Sequence, residues 1–200
     1  EGCDAVLLGN IADPGLREAR EIASIPVLGL CETSLHVACL MGANFSLVAG
    51  NEKHRARIID NIVRYRLEPR MLSFERMQVE RLPDLDLAFT DGAVRDRILG
   101  QFKLAADAAS AAGAEVVIPA VGVAMLLIHE AGITEAGRGT PVLNGIIALV
   151  KTAEATVRMN RLMGGRFTSR RATYAQPTTD QIGELRRFYG DVFPKVDPKR

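Results

Sequence analysis

The sequence predicts an α/β fold of two similar parallel-sheet lobes, the first of them lacking its opening strands. Three observations carry this. Short β-rich runs alternate with longer amphipathic runs along the chain, the pattern of βαβ units. Pro26–Leu30 is apolar throughout, as in a strand covered on both faces. The layout also repeats itself. Gly2-Cys3-Asp4-Ala5-Val6-Leu7-Leu8 and Gly113-Ala114-Glu115-Val116-Val117-Ile118-Pro119 share a glycine, a small residue, an acid and an apolar run. Each is followed by a glycine-containing turn, a helix and a strand introduced by proline, Pro26-Val27-Leu28 and Pro141-Val142-Leu143. Two such lobes face to face place the ends of both runs across one cleft.

Taken in order, Ala5–Gly9 reads as a strand, and Asp13-Pro14-Gly15 as a turn or helix start with Pro near the first helical position. Leu16–Ser24 is a short helix, Pro26–Leu30 a strand, and Glu32–Met41 a helix ended by Gly42. Asn44–Ala49 is the third strand. Glu52–Arg66 is a basic amphipathic helix with Ile58, Ile59, Ile62 and Val63 on one side. Met71–Val79 is extended and Leu82–Thr90 loop-like. Val94–Ala112 is a long helix that turns Ile98, Leu99, Phe102, Leu104 and Ala105 inward. Glu115–Val121 is a strand, Gly122–Gly132 a helix, Thr140–Leu143 a short strand and Gly145–Met163 a long helix whose apolar face carries Ile146, Leu149, Val150, Ala153 and Val157. From Arg166 to Asp180 the chain is polar, a surface extension or partner-binding arm, before a last helix at Thr179–Phe188. Residues 1–42 with 145–200 form the first lobe and its C-terminal helices, and residues 43–144 the second. The chain opens with Glu1, not Met, and enters a strand at once, which suggests an upstream segment.

Composition narrows the function. With 25 basic and 24 acidic residues the net charge is +1, so electrostatics gives no reason to expect nucleic acid or an anionic membrane. The apolar stretch Val116–Ile128 is too short for the ~20 residues of a bilayer span, and Pro119 and Gly122 interrupt it. Cys3, Cys31 and Cys39 lack close metal spacing and suit small buried residues of a reducing, cytoplasmic compartment. Dinucleotide, P-loop, zinc-protease and serine-hydrolase motifs are missing from the sequence.

Several words recur in an order of their own: Gly-Cys-Asp-Ala-Val-Leu-Leu at 2–8, Ala-Asp-Pro-Gly-Leu-Arg-Glu-Ala-Arg at 12–20, Ile25-Pro26-Val27-Leu28-Gly29, then Glu32, His36 and Ala38. Phe45-Ser46-Leu47-Val48, Pro141-Val142-Leu143-Asn144-Gly145 and Val150-Lys151 follow. Over residues 2–160 this set resembles the Asp/Glu/hydantoin racemase superfamily, most of all its hydantoin racemase branch. The resemblance implies two Rossmann-like lobes with pseudo-twofold symmetry. It implies cofactor-free chemistry on a small acid, amino-acid derivative or hydantoin, at the carbon next to a carboxylate or ring carbonyl. Racemases of this kind use two cysteines, one at a strand end of each lobe. One thiolate takes the α-proton and the other thiol returns a proton on the opposite face. In this chain those places fall on Asn10 and on Val121 or its neighbours. Hydroxyl residues that would hold the substrate give way to Ala49 and Gly50, followed by Asn51.

The expected site is therefore Asn10 and Val121 at the catalytic positions, with Asn10, Ala49, Gly50, Asn51 and Gly122 around the substrate, and no metal or cofactor. Racemase-type isomerisation or a decarboxylation is the enzyme reading; the alternative is a non-catalytic relative that binds a small anion or a partner. The partner expected is a small molecule, and the reading allows a homo-oligomer. Asn10 serves either to orient a carbonyl or to cap its turn, and Asp13 reads as an N-cap. Glu32 and His36, four apart, share a helix face as a structural pair. Lys53, His54, Arg55 and Arg57 offer an anion site near a helix start, while His129 and Glu130, being adjacent, point apart.

Overall fold

A computed structural model describes residues 2–50, 52–79, 81 and 83–190. The first sheet pairs β1 (Val6–Leu8) with β2 (Val27–Gly29) in parallel, Val6 opposite Val27 and Leu8 opposite Gly29. Helix α1 (Leu16–Ile22) makes the crossover and α2 (Leu30–Met41) leaves directly from β2. The second sheet has the order β4-β3-β5, all parallel, from β3 (Phe45–Ala49), β4 (Met71–Arg76) and β5 (Val117–Ala120). Residues 142–143 extend it beside Val117, whose carbonyl accepts from the Leu143 amide at 2.8 Å. These parallel sheets with interleaved helices are the α/β architecture expected.

Side chains alternate across the second sheet, as a period of two requires. Leu47, Ile118 and Ala120 face a core shared with α2, α3 (Glu52–Arg64) and α7 (Gly145–Leu162). Val48 and Val117 face a second core beneath α5 (Gly92–Ala111) and α6 (Gly122–Glu130). Both faces are covered, which is why these strands read as nearly continuous apolar runs. Helix α7 lies along α2 and also touches β1 and β2.

The duplicated layout recurs in three dimensions: β1, α1, β2, α2 in one half, and β5, α6, residues 142–143, α7 in the other. The two terminal helices cross so closely that a Cβ on Gly145 would lie 2.3 Å from Ser34 Oγ. The ends of these helices are capped differently. Asn144 Oδ1 accepts from the Ile146 and Ile147 amides at 3.1 and 3.2 Å, a local N-cap on α7. Its counterpart on α2 is Gly29, and the cap comes instead from Asp13.

Several expectations are corrected. Residues 83–87 form a short helix, α4 (Pro83–Leu87), where the sequence suggested a loop. Its Asp84 is buried and held by Arg97 of α5 at 2.8 Å, a contact no local pattern announces. Leu104 is 74% exposed, because Ile98, Phe102, Ala105 and Ala109 set the buried face of α5. Val63 and Val150 are likewise exposed. Thr140–Pro141 (β7) pairs antiparallel with Glu135–Ala136 (β6), a hairpin missing from the sequence reading. The polar stretch after residue 165 is tied down: Arg170 donates to the Arg20 and Ala23 carbonyls at the end of α1, and Gln176 to that of Ile22. The last helix, α8 (Thr179–Tyr189), starts at a Thr178–Gln181 capping box.

Candidate functional site

Ligands of open parallel sheets bind outside the carboxyl ends of the strands. Here β1 runs out into Gly9-Asn10, β3 into Gly50, and β5 into Val121-Gly122. These ends meet around one cavity of about 470 Å³. Gly9, Asn10, Gly50, Val121 and Gly122 line it, so the structure brings both halves of the duplication to the same cleft. Ala49 is buried below it, opposite Ala120, and its side chain is not part of the lining. Asn51 lies outside the described residues.

Glycines stand where the halves approach. A Cβ on Gly122 would sit 3.4 Å from the Gly9 carbonyl oxygen, and one on Gly50 would meet Val121 Cγ2 at 3.1 Å. The floor of the cleft is therefore main chain. Its walls include Val79, Leu85, Leu126 and Ile146, and among the described residues His54 of α3 and Asp86 of α4 are its titratable side chains. Apolar walls around a few convergent polar groups are what a small organic ligand requires.

Asn10 has a defined orientation. Its Oδ1 accepts from the Ala12 amide at 2.9 Å, and its carbonyl accepts from the Asp13 amide at 2.9 Å. Both sequence readings of Asn10 are thus compatible: it shapes the turn and lines the cleft. With Oδ1 engaged, the Nδ2 amide is the group left to offer a ligand. It can donate to a carbonyl or enolate oxygen but cannot accept a proton from carbon. Val121, 7% exposed, gives the other strand end an apolar wall.

Asp13 caps α2 rather than α1. Its Oδ1 accepts from the Cys31 amide at 2.9 Å and its Oδ2 from the Glu32 amide at 2.7 Å. Burial pushes its carboxyl up to about 6, against the pull of those two amides; neighbouring Glu32 raises it further and Arg20 lowers it. Burial likewise drives the Cys31 thiol up to about 12, which leaves it protonated and inert at neutral pH. None of Cys3, Cys31 and Cys39 lines the cleft.

The histidines separate. Glu32 gives its carboxylate to Arg20 in a two-pronged pair, and His36 Nδ1 meets only the Glu32 carbonyl, at 2.7 Å, with its ring edge-on to Tyr65. The expected Glu32–His36 pair is thus a backbone contact. Arg55 reaches Glu52 and covers Phe74, while Arg57 lines a separate small pocket, so these two described cations do not share one anion site with His54; the Lys53 side chain lies outside the described residues. His129 is exposed on α6. A larger cavity of about 740 Å³ lies between α2, α7 and residues 167–174. It is away from all three strand ends, and its Arg20 is already satisfied by Glu32 and by the Val27 carbonyl. The smaller cleft is the one built from converging strand ends. Among the described residues, no group of three or more His, Cys, Asp and Glu is placed to hold a metal, and no helix is long and apolar enough to cross a membrane.

Fold and cleft together define an α/β protein with an open cavity between the strand ends of two similar halves. Residues 1–167 match the family model described as Asp/Glu/Hydantoin racemase, and the chain belongs to that family. It is 29% identical over 194 residues to a hydantoin racemase of Pseudomonas sp. (strain NS671), covering 94% of this chain and 70% of that protein. A hydantoin racemase of Rhizobium meliloti is 30% identical over 178 residues, covering 88% and 68%. Among solved structures, allantoin racemase from Klebsiella pneumoniae superposes with a TM-score of 0.63 at 25% identity, covering 88% of this chain and 66% of that one. Allantoin racemase from Pseudomonas fluorescens gives 0.67 at 25% identity, covering 88% and 69%. The chain thus spans about two thirds of the length of these relatives.

Proposed function

We propose that this chain acts on a small ring compound of the hydantoin type, at the carbon next to a ring carbonyl or carboxylate, without a cofactor. The observation that carries the reading is the convergence of Asn10, Gly50, Val121 and Gly122 on one cleft. The named substrates of its relatives, hydantoin and allantoin, support the ring class.

Withdrawing a proton or carbon dioxide from such a carbon leaves negative charge on the adjacent carbonyl oxygen. The Asn10 amide and the first backbone N–H groups of α6, which opens at Gly122, would meet that oxygen. Among the described cleft residues, His54 carries ring nitrogens that would exchange a proton with the substrate. With Asn10 and Val121 in the strand-end places, proton traffic runs from one face. Stereospecific exchange or decarboxylation then fits better than two-thiol inversion. The unreactive chemistry of those two side chains also favours a second reading, a relative that binds a small anion or a partner without turning it over.

One experiment separates them. A panel of hydantoins and α-substituted acids is incubated with the protein in deuterated water, with α-hydrogen exchange, carbon dioxide release and binding followed together. Exchange or release is expected, falling about a hundredfold in Asn10→Ala, the usual loss for one oxyanion donor. Tight binding with neither exchange nor release would leave the non-catalytic reading standing alone.

A further inference from the structure

We propose that Asp13 is a positioning residue for the cleft: its carboxylate anchors, to the N-terminus of α2, the turn that presents Asn10, and the aim of Asn10 depends on that anchor. The role assigned to Asn10 rests on the function proposed above; the anchoring itself does not.

Within the turn, Ile11 is buried in the core, and the polar holds around it are few. Asn10 bonds to the Ala12 and Asp13 amides, and Asn61 of α3 donates to the Ala12 carbonyl at 3.0 Å. Asp13 itself stands at φ 47°, in the left-handed region that costs a non-glycine residue about 1 kcal/mol or more. Such a conformation persists where its surroundings over-determine it, and the two amides of α2 supply that constraint. They also explain Gly29. A Cβ there would lie 2.5 Å from the Asp13 carboxyl carbon, so the N-cap side chain of α2 has been replaced by a carboxylate that precedes the two amides it binds by 18 and 19 residues. One carboxylate thus joins the α2 N-terminus, deep in the first half, to the loop three residues from a cleft-lining amide.

The anchor responds to protonation, because a carboxyl proton removes acceptor capacity from one of the two oxygens. The groups around it are Cys31 and Glu32 from α2, Arg17, Glu18 and Arg20 from α1, and Arg57, Asp60, Arg64 and Tyr65 from α3. Arg20 is engaged by Glu32, which limits how far it can hold Asp13 ionised. With the carboxyl at about 6, the ionised anchor predominates at neutral pH and gives way below it.

The test uses the whole chain labelled with nitrogen-15, titrated from about pH 8 to about pH 5, a window that brackets the shifted carboxyl. The Asn10 side-chain amide and the Ala12, Cys31 and Glu32 backbone amides are expected to move together with one midpoint near 6. In Asp13→Asn that shared midpoint vanishes and the Asn10 resonance stays near its wild-type low-pH position. If Asn10 keeps its position while Cys31 and Glu32 titrate, or if the four amides have no common midpoint, the proposal is overturned; the wild-type titration decides this even if the variant fails to fold. A second arm follows α-hydrogen exchange of benzylhydantoin. The wild-type kcat should exceed that of Asp13→Asn by about tenfold at neutral pH and converge on it in acid, as expected for lost orientation of one donor. Coupled amides without exchange would uphold the anchor and remove the catalytic reading. Exchange without coupled amides would do the reverse.

Discussion

Asp13 and Gly29 make sense only as a pair. The sequence word Asp-Pro-Gly suggests a cap on the helix that follows, and the residue type was read correctly as a cap. Its target was not, because the capped amides belong to Cys31 and Glu32, and only the folded chain brings them near. Gly29→Ala is expected to destabilise the protein by about 2 kcal/mol, the cost of overpacking plus a displaced cap, checked by urea unfolding. The Asp13 carboxyl has a sign that follows from its environment. Its folded value of about 6 lies above the ordinary 3.8, so the fold favours the neutral acid. That contribution to stability is complete below 3.8 and is lost as pH rises through about 6. Relative to Asp13→Asn, the wild type should therefore gain about 1 kcal/mol of unfolding free energy between neutral pH and about pH 5, measured by denaturant melts at each pH.

The same contrast between local and distant partners runs through the elements. Asn144 is a cap of the ordinary kind, and its Nδ2 also donates to the Met125 carbonyl at 2.8 Å, joining α7 to α6. Asn144→Ala removes both, and a loss of about 1–2 kcal/mol is expected in thermal or urea melts. Elements with a long apolar period were legible in the sequence: α2, α3, α5, α7 and the runs that became β2, β3 and β5. Where reading failed, the deciding contact was distant. Helix α4 has five residues, too few for a period, and leans on Arg97. Glu32 sits four residues from His36, yet its carboxylate goes to Arg20 on another helix. The site was partly legible for the same reason. Strand ends follow from the βαβ pattern, so Asn10, Gly50, Val121 and Gly122 could be placed at a cleft. Val79, Leu85, Asp86 and Ile146 come from segments whose approach depends on tertiary packing, and nothing in their local sequence marks them. His54 was noticed for its basic neighbours, and its place in the cleft is a different property.

At the scale of the whole molecule, two similar halves meet with their strand ends opposed, and that opposition can be tested directly. If the scaffold supports inversion, the double variant Asn10→Cys with Val121→Cys should racemise optically pure benzylhydantoin faster than the parent chain. The decay of optical rotation measures it, and a rate equal to that in buffer would show that strand-end thiols alone are insufficient. The main-chain contact between Gly9 and Gly122 gives this experiment its rationale. A floor made of backbone does not change when side chains do. Asn10 and Val121 are mounted on the strand-end turns, whereas the apolar walls Val79, Leu85, Leu126 and Ile146 are mounted on a loop and on helices. The side chains at the strand ends and most of the apolar wall thus sit on different segments of the chain, so that either set can drift in evolution, or be redesigned, while the backbone between them stays put.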